Sequence, residues 1–409
     1  MKHRIVVLGA GYAGAYVAGN LARRLSPADT EITVVNAVPD FVERLRLHQV
    51  AAGQEIETQK LADIFAGTGI RLRLARVTDL DPERQVVTVA DADGGADELG
   101  YDTLLYALGS HGDDRGVPGV AEHAFDVAAR PSALRLRERL DGLRESGNVL
   151  VVGDGLTGIE TATEIAESRP GLSVTLVARG ELGAPLSAGA RSHLRQACDR
   201  LGITVREHTS VEAVEATRVL CADGTALASD ATVWTAGFAV NPIAAAAGLE
   251  VTENGRIVVD RTMRSLSHPN VYAAGDSVFT VGENGRPLPM SCASAGYTGM
   301  QAMKAIVGRL TGSKIGHVKL DYPGNHISLG RQDGILQMVD HEARAKPKYM
   351  GGRKAARIKA GILKLSLWTN SHPTFCMPTR KRHLAAAPGA STVDAVPYAP
   401  DAPAEKAVA

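Results

Sequence analysis

Arg4-Ile-Val-Val-Leu-Gly-Ala-Gly-Tyr-Ala-Gly14 decides how the rest of the chain is read. Ile5 to Leu8 is an unbroken apolar run, the pattern of a parallel strand buried on both faces. Gly9, Gly11 and Gly14 follow at the spacing G-x-G-x-x-G, and a helical pattern continues through Tyr16, Val17 and Leu21. Strand, glycine turn and helix in that order make a dinucleotide site. The first glycine allows the tight turn, the second lets backbone approach a pyrophosphate, and the third lets helix pack on strand. Unpaired N–H groups and the positive end of the helix then face the phosphates. The pattern occurs twice: Val149-Leu-Val-Val-Gly-Asp-Gly-Leu-Thr-Gly-Ile-Glu160 repeats it with Gly153, Gly155 and Gly158.

With 409 residues there is length for two or three domains. Lysine plus arginine balance aspartate plus glutamate at 45 each, so no global charge marks a nucleic-acid binder. The first strand begins too early for a signal peptide and no apolar run reaches membrane-spanning length, so the cytoplasm is the expected location. Cys198, Cys221, Cys292 and Cys376 are far apart in sequence, which offers neither a redox pair nor a zinc site.

A second strand is expected over Glu31 to Val35, ending at Asn36 where an acidic ribose ligand often stands; Asn36 can hydrogen-bond a ribose without charge. Leu72 to Leu80 and Gln85 to Val89 alternate like antiparallel strands, and Tyr101 to Ser110 reads as a buried strand. Pro131 to Leu143 reads as an amphipathic helix. The strand Ser173 to Val177 ends in Ala178-Arg179 with no carboxylate, which favours a 2′-phosphate and hence NADPH over NADH. Val233 to Phe238 reads as a return strand, Asn270 to Ser277 as a strand and turn, and Ala293 to Leu310 as a helix. Strands at Ile327 to Leu329 and Ile335 to Val339 and one further helix close the fold. From Ala385 the chain is Ala, Pro and small polar residues, too little apolar area to offset ordering, and is expected as a disordered tail.

The two fingerprints, the strand ending at Gly109-Ser110 and Tyr272-Ala-Ala-Gly-Asp276 together resemble the flavoproteins with two dinucleotide-binding domains, nearest to type II NADH dehydrogenases and apoptosis-inducing-factor-like proteins. The resemblance implies an α/β chain of two Rossmann-like domains, an FAD domain with an inserted NAD(P) domain, plus a small C-terminal α+β segment. The corresponding boundaries are 1–118 and 233–312 for FAD, 119–232 for NAD(P), 313–384 for the C-terminal segment and 385–409 for the tail. It implies that Gly9, Gly11, Tyr12, Ala13 and Gly14 cradle FAD, with Asn36, Arg44, Gly109, Gly237, Gly275 and Asp276 completing the cofactor contacts. Asp276 is expected at a helix N-terminus. Gly153, Gly155, Gly158 and Arg179 would hold NADPH or NADH. Glu160 would face the nicotinamide–flavin stack, or else be a surface helix charge. Phe41 to Gly53 resembles the segment passing the isoalloxazine, which makes Arg44, Arg46, His48 and Gln49 pocket candidates; an outward-facing amphipathic helix is the alternative for both arginines. Cys292 stands where those dehydrogenases carry a quinone-site glutamine. Glu160, His48 and Cys292 form the candidate catalytic set. Without a vicinal dithiol, disulfide reduction is disfavoured.

From Arg344 to Arg382 there are many lysines and arginines and no acid. Ile358, Ile362 and Leu365 at helical spacing, with Trp368, describe a basic amphipathic helix over 353–368. Packing of this stripe on the protein body, with the lysines solvated, is the favoured arrangement, because Gly361 weakens the helix; a weak peripheral membrane contact is the other. The resulting expectation is an FAD-dependent NAD(P)H dehydrogenase that passes hydride to flavin and electrons to a quinone or other small-molecule acceptor. A biosynthetic tailoring oxidoreductase and a redox-sensing flavoprotein with little turnover are the alternatives. No nucleic-acid partner or metal is expected, and a homodimer stays open.

Overall fold

The computed structural model describes residues 1–374 and 381–386. The expected tail therefore lies, from 387 onward, outside the described residues, as does Cys376. β1 (His3–Leu8) leads into α1 (Tyr12–Arg24), and β2 (Thr30–Asn36) pairs parallel with β1 from His3↔Thr30 to Leu8↔Val35. A single 3₁₀ turn, Arg44–Arg46, precedes the short helix α2 (Leu47–Ala51). β3 (Arg71–Leu74) joins β2, and β4 (Thr103–Tyr106) joins β1 on its other side. The strand expected from Leu72 to Leu80 is divided at Ala75. Its N–H donates to Asn36 O as the last bond of the parallel ladder, and Arg76–Asp81 then turns into an antiparallel meander with Val86–Ala90 and Ala96–Gly100.

The chain leaves this sheet along Ser110–Gly112 and returns along Phe238–Val240; the two segments pair antiparallel, a ribbon joining two halves. Between them run β5 (Ala124–Phe125), α3 (Arg130–Asp141), β6 (Asn148–Val152), α4 (Leu156–Ser168), β7 (Ser173–Val177), α5 (Ala188–Arg200), β8 (Thr204–Arg206) and β9 (Ala231–Trp234). They form a second parallel sheet in the order β5-β9-β6-β7-β8. The return expected at Val233 comes later than the sequence suggests. Ala231–Trp234 is buried throughout and belongs to the second sheet, beside β6. Composition cannot distinguish such a strand from one belonging to the first sheet.

β10 (Val271–Ala273) closes the first sheet beside β4, giving β10-β4-β1-β2-β3. α6 (Cys292–Thr311) packs on α1, with Gly299 against Val17 and Ala13. β11 (Gly324–Ser328), β12 (Gly334–Met338) and β13 (Met350–Gly351) form an antiparallel sheet. Ile327, Leu329 and Ile335 share one core with Ile159 and Ile165 of α4, which seats this sheet on the second half.

α7 (Gly352–Ser371) reverses the expected burial. Ile358, Ile362, Leu365 and Trp368 face solvent, Leu365 at 60% exposure, whereas Lys359 is buried with Ala355 and Asn370. The cause is a buried carboxylate. Lys359 is drawn inward to Glu160, and the stripe beginning one residue earlier, about 100° round the helix, is turned out.

Candidate dinucleotide sites and the buried cluster between them

In the first turn the three glycines answer to different neighbours. Gly9 has φ +92° and a Cβ on it would overlap the carbonyl oxygen of Ala107; a Cβ on Gly14 would overlap the carbonyl oxygen of Gly9. A Cβ on Gly11 would meet nothing within 4 Å. The outer two positions are therefore required by packing, and the middle one borders open space at the start of α1. Gly11 caps α1 with no side-chain acceptor, so the first N–H groups, among them those of Tyr12 and Ala13, are left to a ligand. Tyr12 packs edge-on against Phe41 with ring centroids 5.2 Å apart. Asn36, expected beside a ribose, is held by two hydrogen bonds within the protein. Its Oδ1 accepts from Ala10 N–H at 2.9 Å and its Nδ2 donates to Val38 O at 2.7 Å, so the side chain staples the glycine turn to the end of β2.

The second turn repeats the arrangement. Gly153 has φ +119°, with its Cβ position 2.6 Å from Thr235 Oγ1; a Cβ on Gly158 would overlap Gly153 O; that of Gly155 is open. Thr235 Oγ1 donates to Val152 O at 2.8 Å, fixing the loop from β9 against the turn. Gly237, two residues on, lies against the guanidinium of Arg115, whose Nε donates to Ala236 O. Arg179 is exposed just beyond β7, and Arg206, also exposed, pairs in register with Val177.

Where the halves meet, Ser110 Oγ donates to Asp276 Oδ2 at 2.6 Å. Arg44 Nη1 donates to Ser110 O at 2.7 Å and lies 3.5 Å from Asp276 Oδ2, its guanidinium 4.9 Å from the centre of the Phe238 ring. Arg44 therefore faces inward, while Arg46 pairs with Glu43 and donates to Gln49. Asp276, expected at the N-terminus of a helix, lies in a single short turn instead, and the long helix starts close to its expected place at Ala293. Gly275–Ser277 is one 3₁₀ turn leading into the strand Val278–Phe279, and α6 begins at Cys292. It is thus Arg44, not a helix dipole, that offsets the Asp276 charge. Gly275 takes φ +83° and donates its N–H to Thr298 Oγ1, and Ser277 Oγ donates to Gly109 O. Burial, reinforced by Asp276, pushes the Cys292 thiol up to about 12. At neutral pH it is a thiol and a poor nucleophile, contrary to its place in the catalytic set.

Glu160 is buried, which excludes the surface-charge reading. Its Oε1 accepts from Ser328 N–H at 2.9 Å and pairs with Lys359 Nζ, which also donates to His326 O at 2.8 Å. Burial lowers Lys359 to about 7. His48, 4% exposed, is pushed down to about 3 by burial, with Lys359, Arg331 and Arg46 adding to the effect. It is a neutral imidazole at physiological pH. Ser110, Thr235, Thr298, Lys359 and Glu164 were not singled out from the sequence. Only Glu164 carried a usable signal, its i+4 spacing from Glu160 on an apolar helix.

The family model for pyridine nucleotide-disulphide oxidoreductases matches residues 3–299, across both glycine turns. The chain belongs to this family. Members of it bind FAD and NADH. This oxidoreductase is 33% identical over 314 residues to an NADH dehydrogenase-like protein of Mycobacterium tuberculosis, covering 71% of this chain and 76% of that one. It is 26% identical over 393 residues to a type II NADH:quinone oxidoreductase of Staphylococcus aureus, covering 88% and 94%. In fold it is similar to NDH2 from Plasmodium falciparum in complex with NADH, with TM-score 0.77 at 16% identity over 92% and 97% of the two chains. It spans 62% of a longer solved chain, reduced Bacillus anthracis CoADR-RHD, at TM-score 0.74 and 20% identity. Among the described residues Cys198, Cys221 and Cys292 are free thiols.

Proposed function

We propose that the chain is an FAD-dependent NAD(P)H dehydrogenase that reduces a quinone-type acceptor at a membrane surface. The observation that carries the reading is the pair of glycine turns, each closed by packing at its first and third positions and open at its second. That opening is where a pyrophosphate lies against backbone N–H groups. FAD, when bound, takes hydride from the nicotinamide and passes the electron pair onward. Gly11, Tyr12 and Ala13 would hold its pyrophosphate, and Arg44, Ser110 and Asp276 would fix the flavin side. Gly155 and the loop Thr235–Gly237 would hold the nicotinamide dinucleotide. Arg179 and Arg206 at the ends of β7 and β8 support acceptance of a 2′-phosphate, hence of NADPH alongside NADH. The chain's own contribution is orientation and charge placement. Glu160 pairs with the buried Lys359, which also donates to His326 O, and so fixes α7 on α4.

The membrane reading rests on α7. Its exposed stripe Ile358, Ile362, Leu365 and Trp368 runs beside exposed Arg353, Lys354, Arg357 and Lys364. Apolar residues flanked by cations suit an anionic lipid surface. No helix among the described residues is long and apolar enough to cross a membrane, so the contact would be peripheral. A panel of acceptors (menadione, a ubiquinone analogue, ferricyanide) with NADH and NADPH tests the assignment. Rapid quinone turnover supports it; flavin reduction with no turnover to any acceptor contradicts it.

A further inference from the structure

We infer that Arg115, on the segment crossing from the first half to the second, grips the pyrophosphate of the incoming nicotinamide dinucleotide; the inference rests on the dinucleotide reading of the second glycine turn given above. The need for a cation there follows from charge. A dinucleotide brings two negative charges on its pyrophosphate. The turn Gly153 to Gly158 holds no lysine or arginine and adds a carboxylate, Asp154. Against these stand the first N–H groups of α4, capped by Gly155 with no side-chain acceptor, and a helix end worth about half a positive charge.

One residue separates Arg115 from the turn. A Cβ on Gly153 would lie 2.9 Å from Ala236 N, and Ala236 O accepts from Arg115 Nε at 3.2 Å. The turn and the guanidinium therefore stand on opposite sides of Ala236, about 3.5 Å of extended chain. The ribbon between the halves carries on to this point: Asp113 N–H donates to Gly237 O at 3.1 Å, and Trp234 Nε1 donates to Asp113 O at 2.8 Å. Arg115 Nη2 lies 2.8 Å from the Cβ position of Gly237, so the guanidinium rests on that bare Cα, and a side chain at 237 would displace it. Residues 235–237 follow β9. In the order β5-β9-β6-β7-β8 the chain reverses direction across the sheet between β6 and β9. Dinucleotides lie in the crevice beyond the carboxyl ends of the strands at such a reversal. Arg115 stands at the β9 side of that crevice, and Arg179 follows β7 on the other side.

The guanidinium is held by one edge and open at the other. Its protein contacts fall on Nε, which donates to Ala236 O and lies 3.3 Å from Asp113 Oδ2; Nη1 and Nη2 have no acceptor among the described residues. The side chain is 45% exposed. Two parallel N–H donors on a fixed plane match two phosphate oxygens, a fit that a lysine ammonium does not reproduce. The backbone is fixed to present them. Arg115 takes φ +57°, in the left-handed region that residues other than glycine seldom adopt, and its N–H donates to Asp113 Oδ1 at 3.0 Å. The pyrophosphate is common to NADH and NADPH. Arg115 is accordingly a binding residue that sets affinity for both, whereas Arg179 and Arg206 bear on the choice between them.

The test compares the FAD-loaded wild type with Arg115→Gln and Arg115→Lys. Calorimetry measures binding of ADP-ribose, which has the pyrophosphate and no nicotinamide, and anaerobic flavin bleaching gives the half-saturating concentrations of NADH and NADPH. Arg115→Gln is expected to weaken ADP-ribose by about 10- to 100-fold and to raise both half-saturating concentrations by a common factor of that size. Flavin content and thermal midpoint should stay at wild-type values. Arg115→Lys should recover only part of the affinity, having charge without the planar pair of donors. ADP-ribose binding to Arg115→Gln within about twofold of wild type overturns the inference. So does a loss confined to NADPH, or a loss that comes with a lowered midpoint and missing flavin, which would make Arg115 a structural support of Gly237. If Arg115→Gln does not fold, Arg115→Lys binding ADP-ribose as tightly as wild type overturns it. A wild type that holds flavin yet binds neither ADP-ribose nor NADH contradicts the dinucleotide reading of the second turn itself, and the inference with it.

Discussion

Gly11 and Gly14 stand three residues apart in one turn and are glycine for different reasons. Gly14 must be small because Gly9 O occupies the place of its Cβ, so Gly14→Ala should destabilise the fold by more than about 4 kcal/mol. Gly11 has open space and φ −77°, so Gly11→Ala should change stability by less than about 1 kcal/mol and instead lower flavin retention. Thermal melts of the apoprotein, with flavin content of the purified variants, separate the two effects. Equal destabilisation by both substitutions would contradict the assignment of the open position to a pyrophosphate. Glu164 makes a pH prediction. Its folded pKa of about 7 lies above the ordinary value of 4.5, so the folded chain holds the proton more tightly than the unfolded chain. That contribution is full below pH 4.5 and is lost as pH rises through 7. Relative to Glu164→Gln, wild type should therefore lose about 3 kcal/mol of stability between pH 4.5 and 8. Denaturant melts at the two pH values measure this; a constant difference between the proteins would contradict it. Arg179→Glu should lower the NADPH-to-NADH ratio of kcat/KM by about 10- to 100-fold, and an unchanged ratio would remove Arg179 from the site.

The elements show where sequence is informative and where it stops. β1, α1, β6 and α4 were readable because apolar runs, glycine spacing and helical periodicity agree over a short window. β9 was cut between the two halves at Val233 because a doubly buried strand carries no mark of the sheet it joins. The ribbon of Ser110–Gly112 on Phe238–Val240 was missed for a related reason, since its register depends on residues 128 positions apart. α7 was found, but its rotation was reversed. Spacing gives the apolar stripe; only the buried Glu160, on a helix far back in the chain, determines which face turns inward. That pairing makes a prediction for the two helices. Lys359→Met leaves Glu160 buried and unpaired and should cost about 3 to 5 kcal/mol, while Lys359→Met with Glu160→Gln should recover much of it. A double-mutant cycle by denaturant melts reads the coupling, and purely additive losses would contradict the pair. On the outer face, Leu365→Asp with Trp368→Ser should abolish sedimentation with anionic vesicles and leave ferricyanide turnover unchanged. Undiminished sedimentation would refute the lipid-facing role of the stripe.

Across the whole molecule, two parallel sheets each carry a glycine turn, Arg44, Ser110 and Asp276 cluster at the ribbon joining the halves, and the C-terminal sheet and α7 pack on α4. The proposed reading puts FAD on the first half and the nicotinamide dinucleotide on the second, while the buried Glu160–Lys359 pair ties α7 to α4. The two glycine turns were legible early because each is formed within a short stretch of chain. The residues that handle charge, Lys359 and Glu164, come together only in the folded chain. The central claim, that the two halves bring one flavin and one nicotinamide together, is tested most directly by the visible spectrum of the purified protein before and after anaerobic NADH. The account predicts one bound flavin per chain, bleached by NADH. A colourless protein that cannot be reconstituted with FAD, or a bound flavin that NADH leaves oxidised, would contradict it.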